Sequence, residues 1–395
     1  MRDFVNEHVK KIKPSGIRRF FDIANEMDNV ISLGVGEPDF DTPWHIRDEA
    51  REALSRGKTF YTANAGLIEL REEIVARLTK KHGLTYDPKE EVLVTIGGSE
   101  AIDMALRATV CAGDEVIYLE PGYVSYLPCI ELSGGVPVPI ALKEENQFRL
   151  TPEELEDAIT DKTKIVIMNF PNNPTGAILE QSDIEALSKV IIKHDLLLIT
   201  DEIYDDLTYT GSAHVTLAGE PGMKERTIYI NGFSKTYAMT GWRLGYCCGP
   251  QSIMEQMIKI HQFTIMAAPT ISQYAGIEAL KNGDESVEEM RQSYNQRRRY
   301  LLKELHRIGL SCFEPLGAFY IFPNIQEFNL TSDDFATQLL LEERLAVIPG
   351  SAFGESGEGF IRISYAYSIQ ELKVAIGRLE QFILRLREKA YYGVQ

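Results

Sequence analysis

Ser234-Lys235, followed by Gly241-Trp242-Arg243, is the stretch of this sequence with the most chemistry in it. A lysine removed from water and set near other cations loses its proton readily and becomes a Schiff-base nucleophile. The Ser234 hydroxyl and the planar fork of Arg243 could share a phosphate. Asp201-Glu202-Ile203-Tyr204 follows an apolar run, where a carboxylate is costly to bury unless paired. Asp201 could hold a protonated ring nitrogen, and Tyr204 could hydrogen-bond a phenolate oxygen. Asn169-Phe170-Pro171-Asn172-Asn173-Pro174-Thr175-Gly176 carries two prolines that stiffen the loop around Asn173. A rigid amide there suits a negatively charged ring oxygen. Gly97-Gly98-Ser99-Glu100-Ala101 follows another strand and opens a helix, whose free N–H groups and dipole suit a phosphate. A dinucleotide fingerprint is absent: there is no G-x-G-x-x-G, and Gly34-Val35-Gly36 runs into Glu37-Pro38 instead of opening a helix.

Each of these features also has a plain structural explanation. Ser99 could be an N-cap, Asn-Pro-Gly an ordinary turn, Asp201 a cap for the segment after it, and Lys235 a solvated surface residue. Their joint occurrence is what discriminates. Phosphate donors, a rigid amide, a strand-end aspartate, a Ser-Lys and an arginine follow successive strands of one sheet, where ligands of such sheets bind. Together they fit a ligand bearing a phosphate, an aromatic nitrogen, a phenolic oxygen and an aldehyde, which is pyridoxal 5′-phosphate.

The elements that must position these groups are readable from periodicity. Residues 1–29 read as a short arm followed by a helical stretch over 17–27, and Pro38 and Pro43 then break the chain. From about residue 45, strands and helices alternate. Leu67, Leu70, Ile74 and Leu78 mark one face of a helix over 67–82. A strand over 92–96, a helix over 99–109 and strands over 115–119 and 136–141 follow. Thr151-Pro152-Glu153-Glu154 is a capping box with proline at the first helical position. Further strands are expected over 165–168, 196–200, 227–230 and 244–248, with Ser182 and Glu185 capping the helix between the first two. Strands apolar on both faces and alternating with helices describe an α/β fold, with a mostly parallel sheet covered by helices on both sides. After about residue 285 the texture becomes that of a smaller α+β domain. It has a long charged helix through Arg297-Arg298-Arg299 to Ile308, short strands over 318–322, 346–348 and 360–364, and a last helix capped by Ser368 and Glu371. The division expected is an N-terminal arm and part of the small domain over 1–44, a large cofactor-binding domain over 45–284, and a small C-terminal domain over 285–395.

Composition narrows the class. Of 395 residues, 44% are apolar and 25% charged, ordinary values for a globular chain. With 41 basic and 58 acidic residues the net charge is −17, which repels nucleic acid and anionic membrane at long range. No apolar run approaches the roughly 18–20 residues of a membrane span. Five cysteines without a C-x-x-C pair fit a reducing cytoplasm, and seven scattered histidines argue against a metal site. Three features are expected to do no chemistry. Arg297 to Arg299 should lie on a solvated helix face, at most one of Cys247 and Cys248 should face the core, and Gly350-Ser351-Ala352-Phe353-Gly354 should be a loop near the substrate.

The chain resembles the class I pyridoxal-phosphate aminotransferases of the aspartate aminotransferase fold (fold type I) along nearly its whole length. The resemblance rests on Ser-Leu-Gly-Val-Gly-Glu-Pro-Asp-Phe from Ser32, Pro-Asn-Asn-Pro-Thr-Gly from Pro171, Asp-Glu-Ile-Tyr from Asp201, Ser-Lys-Thr-Tyr-Ala-Met-Thr-Gly-Trp-Arg-Leu-Gly from Ser234, and Arg-Ile-Ser-Tyr from Arg362. It implies that Lys235 is the Schiff-base lysine and general base, with Asp201 on the pyridinium nitrogen and Asn173 and Tyr204 on the ring oxygen. Ser234, Arg243 and the backbone at Gly98, Ser99 and Glu100 would hold the phosphate, and Tyr123 would stack on the ring. Tyr61 would reach the phosphate of a neighbouring subunit, which makes the active unit a homodimer with shared sites. Gly36, Asn173 and Arg362 would bind the substrate. The activity implied is ping-pong transfer of an amino group between an L-amino acid and a 2-oxo acid, with 2-oxoglutarate as the first acceptor to try. A carbon–sulfur β-lyase on the same fold and a non-catalytic cofactor-sensing regulator are the rival readings. Ser99 stands where some relatives carry a lysine for a distal carboxylate, and Ile17, Phe20 and Phe21 could line an apolar donor pocket.

Overall fold

The computed structural model describes residues 2–14, 16 and 27–392. Its centre is a seven-stranded sheet in the order β2-β8-β7-β6-β5-β3-β4. These strands are β2 (Val92–Thr95), β3 (Glu115–Glu120), β4 (Val136–Ala141), β5 (Thr163–Asn169), β6 (Leu197–Asp201), β7 (Thr227–Gly232) and β8 (Gly245–Cys248). All run parallel except β8, which is antiparallel to both β7 and β2. The reversal matters for the site. The start of β8 lies where β7 and β2 end, with Gly245 opposite both Gly232 and Thr95. Arg243, just before β8, therefore arrives at the same sheet edge as Lys235, just after β7.

Strands buried on both faces are what the apolar runs require, because successive side chains point to opposite sides. Val92, Val94, Tyr229, Tyr246 and Cys248 pack on one side with Leu70, Ile74 and Leu78. Leu93, Ile228, Ile230 and Cys247 pack on the other with Ala101, Ile102, Ala105, Met254 and Met257. The expectation that at most one of Cys247 and Cys248 faces the core is thus wrong: the sheet has a core on each side, and both thiols are fully buried. Several caps match expectation. Thr151 and Glu154 form a capping box with Pro152 at N1, and Ser368 and Glu371 exchange hydrogen bonds at the start of the last helix. Others differ. The box before residues 181–193 is Glu180 with Asp183, not Ser182 with Glu185. The helix after β2 begins at Gly97, which puts Ser99 inside it. No helix follows Asp201 directly, so that carboxylate is no helix cap; it accepts from the Ile203 amide in a turn.

The residues after 285 form a long helix (Asp284–Arg307) and a three-stranded antiparallel sheet, β11-β12-β9. The strands of that sheet are β9 (Tyr320–Ile321), β11 (Ile348–Pro349) and β12 (Ile361–Ser364). The N-terminal strand β1 (Ile31–Ser32) pairs with β10 (Leu345–Ala346), and Leu33 continues the stitching to Ala346 and Ser364. This lays residues 33–36 beside β12. The arginine triplet is not solvated as expected. Arg298 is buried against Glu314 and the Pro315 carbonyl, and Arg297 pairs with Asp39 above the Phe40 ring, leaving only Arg299 exposed. The helical stretch expected over 17–27, with Ile17, Phe20 and Phe21, lies outside the described residues except for Met27. Among the described residues no helix is long and apolar enough to cross a membrane.

A buried charge network backs the strand-end loops. Asp205 and Asp206 receive Lys81, Asp205 also meets His82, and Arg77 bonds Asp206 and Asp284. Burial alone would raise the Asp205 carboxyl, but Lys81, His82 and His214 overcome it and hold it well below the usual carboxylate range. Removing one partner of such a pair leaves an uncompensated buried charge. Lys81→Met should therefore cost about 3 kcal/mol in denaturant unfolding. Lys80→Met, at the exposed rim on Asp284, should cost less than about 0.5 kcal/mol. Equal losses for the two variants would contradict this network.

Candidate active site

A cavity of about 310 Å³ opens at the carboxyl edge of the large sheet, a volume suited to a small molecule. Lys235, Asp201, Tyr204, Asn173, Ser234, Arg243, Gly98, Ser99, Tyr123, Gly36 and Arg362 all line it. The strand register explains the meeting: Asn169 pairs with Asp201, and Asp201 with Ile230, so the residues after β5, β6 and β7 leave the sheet side by side. Two predicted residues lie elsewhere. The Glu100 side chain turns back to accept from the Ile96 amide and bonds His261, and Glu100 does not line the cavity. Tyr61 is 83% exposed on the outer surface.

Lys235 is partly buried, and its Nζ donates to the Gly36 carbonyl at 2.6 Å. Loss of water pulls its pKa down to about 8; Arg362 and Arg243 act in the same direction, and Glu37 opposes them. Asp201 is 5% exposed, and burial pushes its carboxyl up to about 6 against hydrogen bonds from Tyr126 and the Ile203 amide. The Tyr126 hydroxyl donates to Asp201 Oδ2 at 2.8 Å. Asn173 is held twice: its backbone N–H donates to Asn169 Oδ1, and its side-chain Oδ1 accepts from Arg362 Nη1 at 2.8 Å. With that oxygen engaged, the amide NH₂ is the group left for a ligand.

Arg362 is 3% exposed. Its guanidinium lies over the rings of Tyr320 and Phe353, at 4.4 and 4.7 Å from their centroids, and Nη2 donates to the Gly34 carbonyl. Its Nε is buried and finds no partner in the protein. Phe353 comes from the turn Gly350–Phe353, which places the stretch expected near the substrate against this arginine. Arg243 sits in the left-handed region at φ 52, an uncommon conformation for a side-chain-bearing residue. Gly97, at φ 73, lies so close that an added Cβ would stand 2.6 Å from Arg243 Nη2. Tyr123 meets Tyr126 edge to face at 5.5 Å, and its hydroxyl lies 3.3 Å from Ser99 Oγ.

Sequence reasoning missed Tyr126, Asn169, Thr240 and Tyr320. Asn169 is the last residue of β5, so the strand-end rule could have found it. Tyr126 opens the helix Tyr126–Leu132 just after Tyr123, and only the tertiary approach to Asp201 marks it. Tyr320 comes from the second sheet, and nothing local announces it.

The family model for aminotransferases of class I and II matches residues 28–379. The aspartate aminotransferase of Pyrococcus abyssi is 46% identical, over 98% of this chain and 99% of that protein. The crystal structure of an aromatic aminotransferase from Pyrococcus horikoshii superposes with TM-score 0.89 at 46% identity, covering 93% of this chain and 99% of that one. The aspartate aminotransferase of Thermus thermophilus with maleate superposes at 0.92 and 38% identity, covering 97% and 100%. These relatives do not favour the lyase or regulator readings. The chain belongs to the class I and II aminotransferase family, on the aspartate aminotransferase fold, and is a transaminase.

Proposed function

We propose that the chain binds pyridoxal 5′-phosphate in this cavity and moves an amino group between an L-amino acid and a 2-oxo acid, with 2-oxoglutarate as acceptor. Lys235 carries this reading: its amine opens onto the cavity, is drawn toward neutrality near physiological pH, and rests on a backbone carbonyl instead of a carboxylate. The surrounding groups fit the same ligand. Asp201, raised by burial, gains from a cationic ring nitrogen beside it. The Asn173 NH₂ and the Tyr204 hydroxyl would face the ring oxygen. Ser234, Arg243 and the backbone from Gly98 to Glu100 would take the phosphate at a helix start. Tyr123 would cover one ring face.

When bound, the pyridine ring accepts the electron pair left on the substrate's α-carbon, and its aldehyde carbon carries the amino group between substrates. The protein supplies the rest. Arg362, with Gly36, would fix the α-carboxylate through the second N–H groups of Nη1 and Nη2. Lys235 would take and return the proton at the α-carbon through Nζ. Both half-reactions would share one cavity, giving ping-pong kinetics. The maleate named with the Thermus thermophilus relative supports a dicarboxylic acceptor.

The dimer reading is supported by the outer surface. Trp44, Phe60, Tyr61 and Phe263 are 71–85% exposed. Thr270 donates to the Phe60 carbonyl and Asn64 to that of Met266, which ties two of these segments into one face. Exposed aromatics gathered in this way mark an association surface. Tyr61 would reach the partner's phosphate from there. The five thiols, all free, agree with a cytoplasmic enzyme.

Lys235→Ala should retain the cofactor without a covalent link and lose about 10⁴-fold or more in steady-state transamination; turnover like that of wild type would contradict the assignment. In the cofactor-free protein, the rate of Lys235 acylation should reach half its maximum near pH 8 instead of 10.5. The folded pKa lies below the unfolded one, so the penalty of the charged amine is full below about pH 8 and fades as the pH rises toward 10.5. Lys235→Met should therefore stabilise the cofactor-free protein at pH 7, by on the order of 1–3 kcal/mol. A loss of stability there would contradict the desolvated amine.

A further inference from the structure

Tyr320 has no part in the transfer chemistry set out above, yet it touches three of the groups that do. It is 1% exposed, on β9 opposite Ser364 of β12, and lines the cavity. Its hydroxyl lies 2.8 Å from that of Tyr204. Its ring face carries the Arg362 guanidinium at 4.4 Å. A Cβ on Gly36 would stand 2.2 Å from the Tyr320 oxygen, so the phenol fills the space that glycine leaves beside the carbonyl accepting from Lys235.

We propose that Tyr320 is a positioning residue with two separable roles: its hydroxyl donates to Tyr204 and so aims the Tyr204 proton at the cofactor's ring oxygen, while its ring holds the Arg362 fork flat for the substrate carboxylate.

The hydroxyl role follows from proton counting. Tyr204 has one hydroxyl proton. If it is given to a ring oxygen, the 2.8 Å contact with Tyr320 can be filled only by Tyr320 donating. Donors in series polarise one another, so the first bond strengthens the second. Tyr204 and Tyr320 are both buried, with burial holding each phenol above its usual range, so both protons stay in place at working pH. Asp201 near Tyr204 and Arg362 and Tyr123 near Tyr320 are the other titratable groups that act on the pair. The ring role follows from geometry. Arg362 is bonded at Nη1 and Nη2 to Asn173 and Gly34, and its guanidinium packs over the Tyr320 ring at 4.4 Å and the Phe353 ring at 4.7 Å, contacts that restrain its orientation.

This inference rests on the cofactor reading, and the test separates the two. The pH midpoint of the visible absorption is measured after adding pyridoxal 5′-phosphate to wild type, Tyr320→Phe, Tyr204→Phe and the double variant. Without Tyr320's donation the ring oxygen keeps more negative charge and holds the proton of the visible form to higher pH. Tyr320→Phe should therefore raise the midpoint by roughly half to one unit. Tyr204→Phe should raise it further, and the double variant should match Tyr204→Phe, because Tyr320 acts through it. The KM for the amino donor reads the other role. It should be about threefold to tenfold higher in Tyr320→Leu than in Tyr320→Phe, which keeps the ring. An unmoved midpoint in Tyr320→Phe, or a shift that adds in full to that of Tyr204→Phe, overturns the hydroxyl role. Equal KM values for the Phe and Leu variants overturn the ring role. A wild type with no titrating visible absorption refutes the cofactor reading itself.

Discussion

A lysine amine withdrawn from water, with two arginines facing it and only a carbonyl to bond, is unfavourable on its own, and the surrounding fold is arranged so that it persists. The carbonyl belongs to Gly36, on a segment held by hydrogen bonds to β10 and β12. Arg362 stands on β12, and Arg243 arrives through the antiparallel strand β8. Lys235 leaves the end of β7 with every residue of that strand buried. The large sheet fixes where the amine emerges and delivers Arg243, burial does most to lower the amine's basicity, and the second sheet adds Arg362.

Behind this front lies a compensating layer. Asp205 and Asp206 continue directly from Tyr204, and their charges are met by Lys81 and Arg77 from the helix Ile68–His82. Thr236, next to Lys235, donates to Asp206 as well. The loops that carry Asp201, Tyr204 and Lys235 are therefore clamped from the rear by buried ion pairs, leaving the front free for a ligand. Functional groups held in energetically unfavourable settings need such a rigid support.

Much of this was legible in the sequence because two simple rules coincide. Apolar runs of strand length separated by amphipathic helices give a parallel sheet, and residues just after those strands gather at one edge. Lys235, Asp201, Asn173 and Ser234 obey both rules, and so were readable together. What was not legible depends on tertiary approach. Tyr320 and Phe353 come from the second sheet and its turn, so their contact with Arg362 has no local signal. The burial of Arg298 depends on Glu314 and Pro315 folding back onto its helix. Cys247 and Cys248 were misjudged because alternation implies one solvent face, whereas this sheet is covered on both sides. Ser99 looked like a cap because serine so often is one, but the helix begins two residues earlier at Gly97.

The central claim is that one particular amine forms a covalent bond to the cofactor's aldehyde. Holoenzyme reconstituted with pyridoxal 5′-phosphate, reduced with borohydride and digested, reports the bond by peptide mass. The account predicts a single pyridoxyl-labelled peptide with the label on Lys235. A label on another lysine, or none above background, would contradict it.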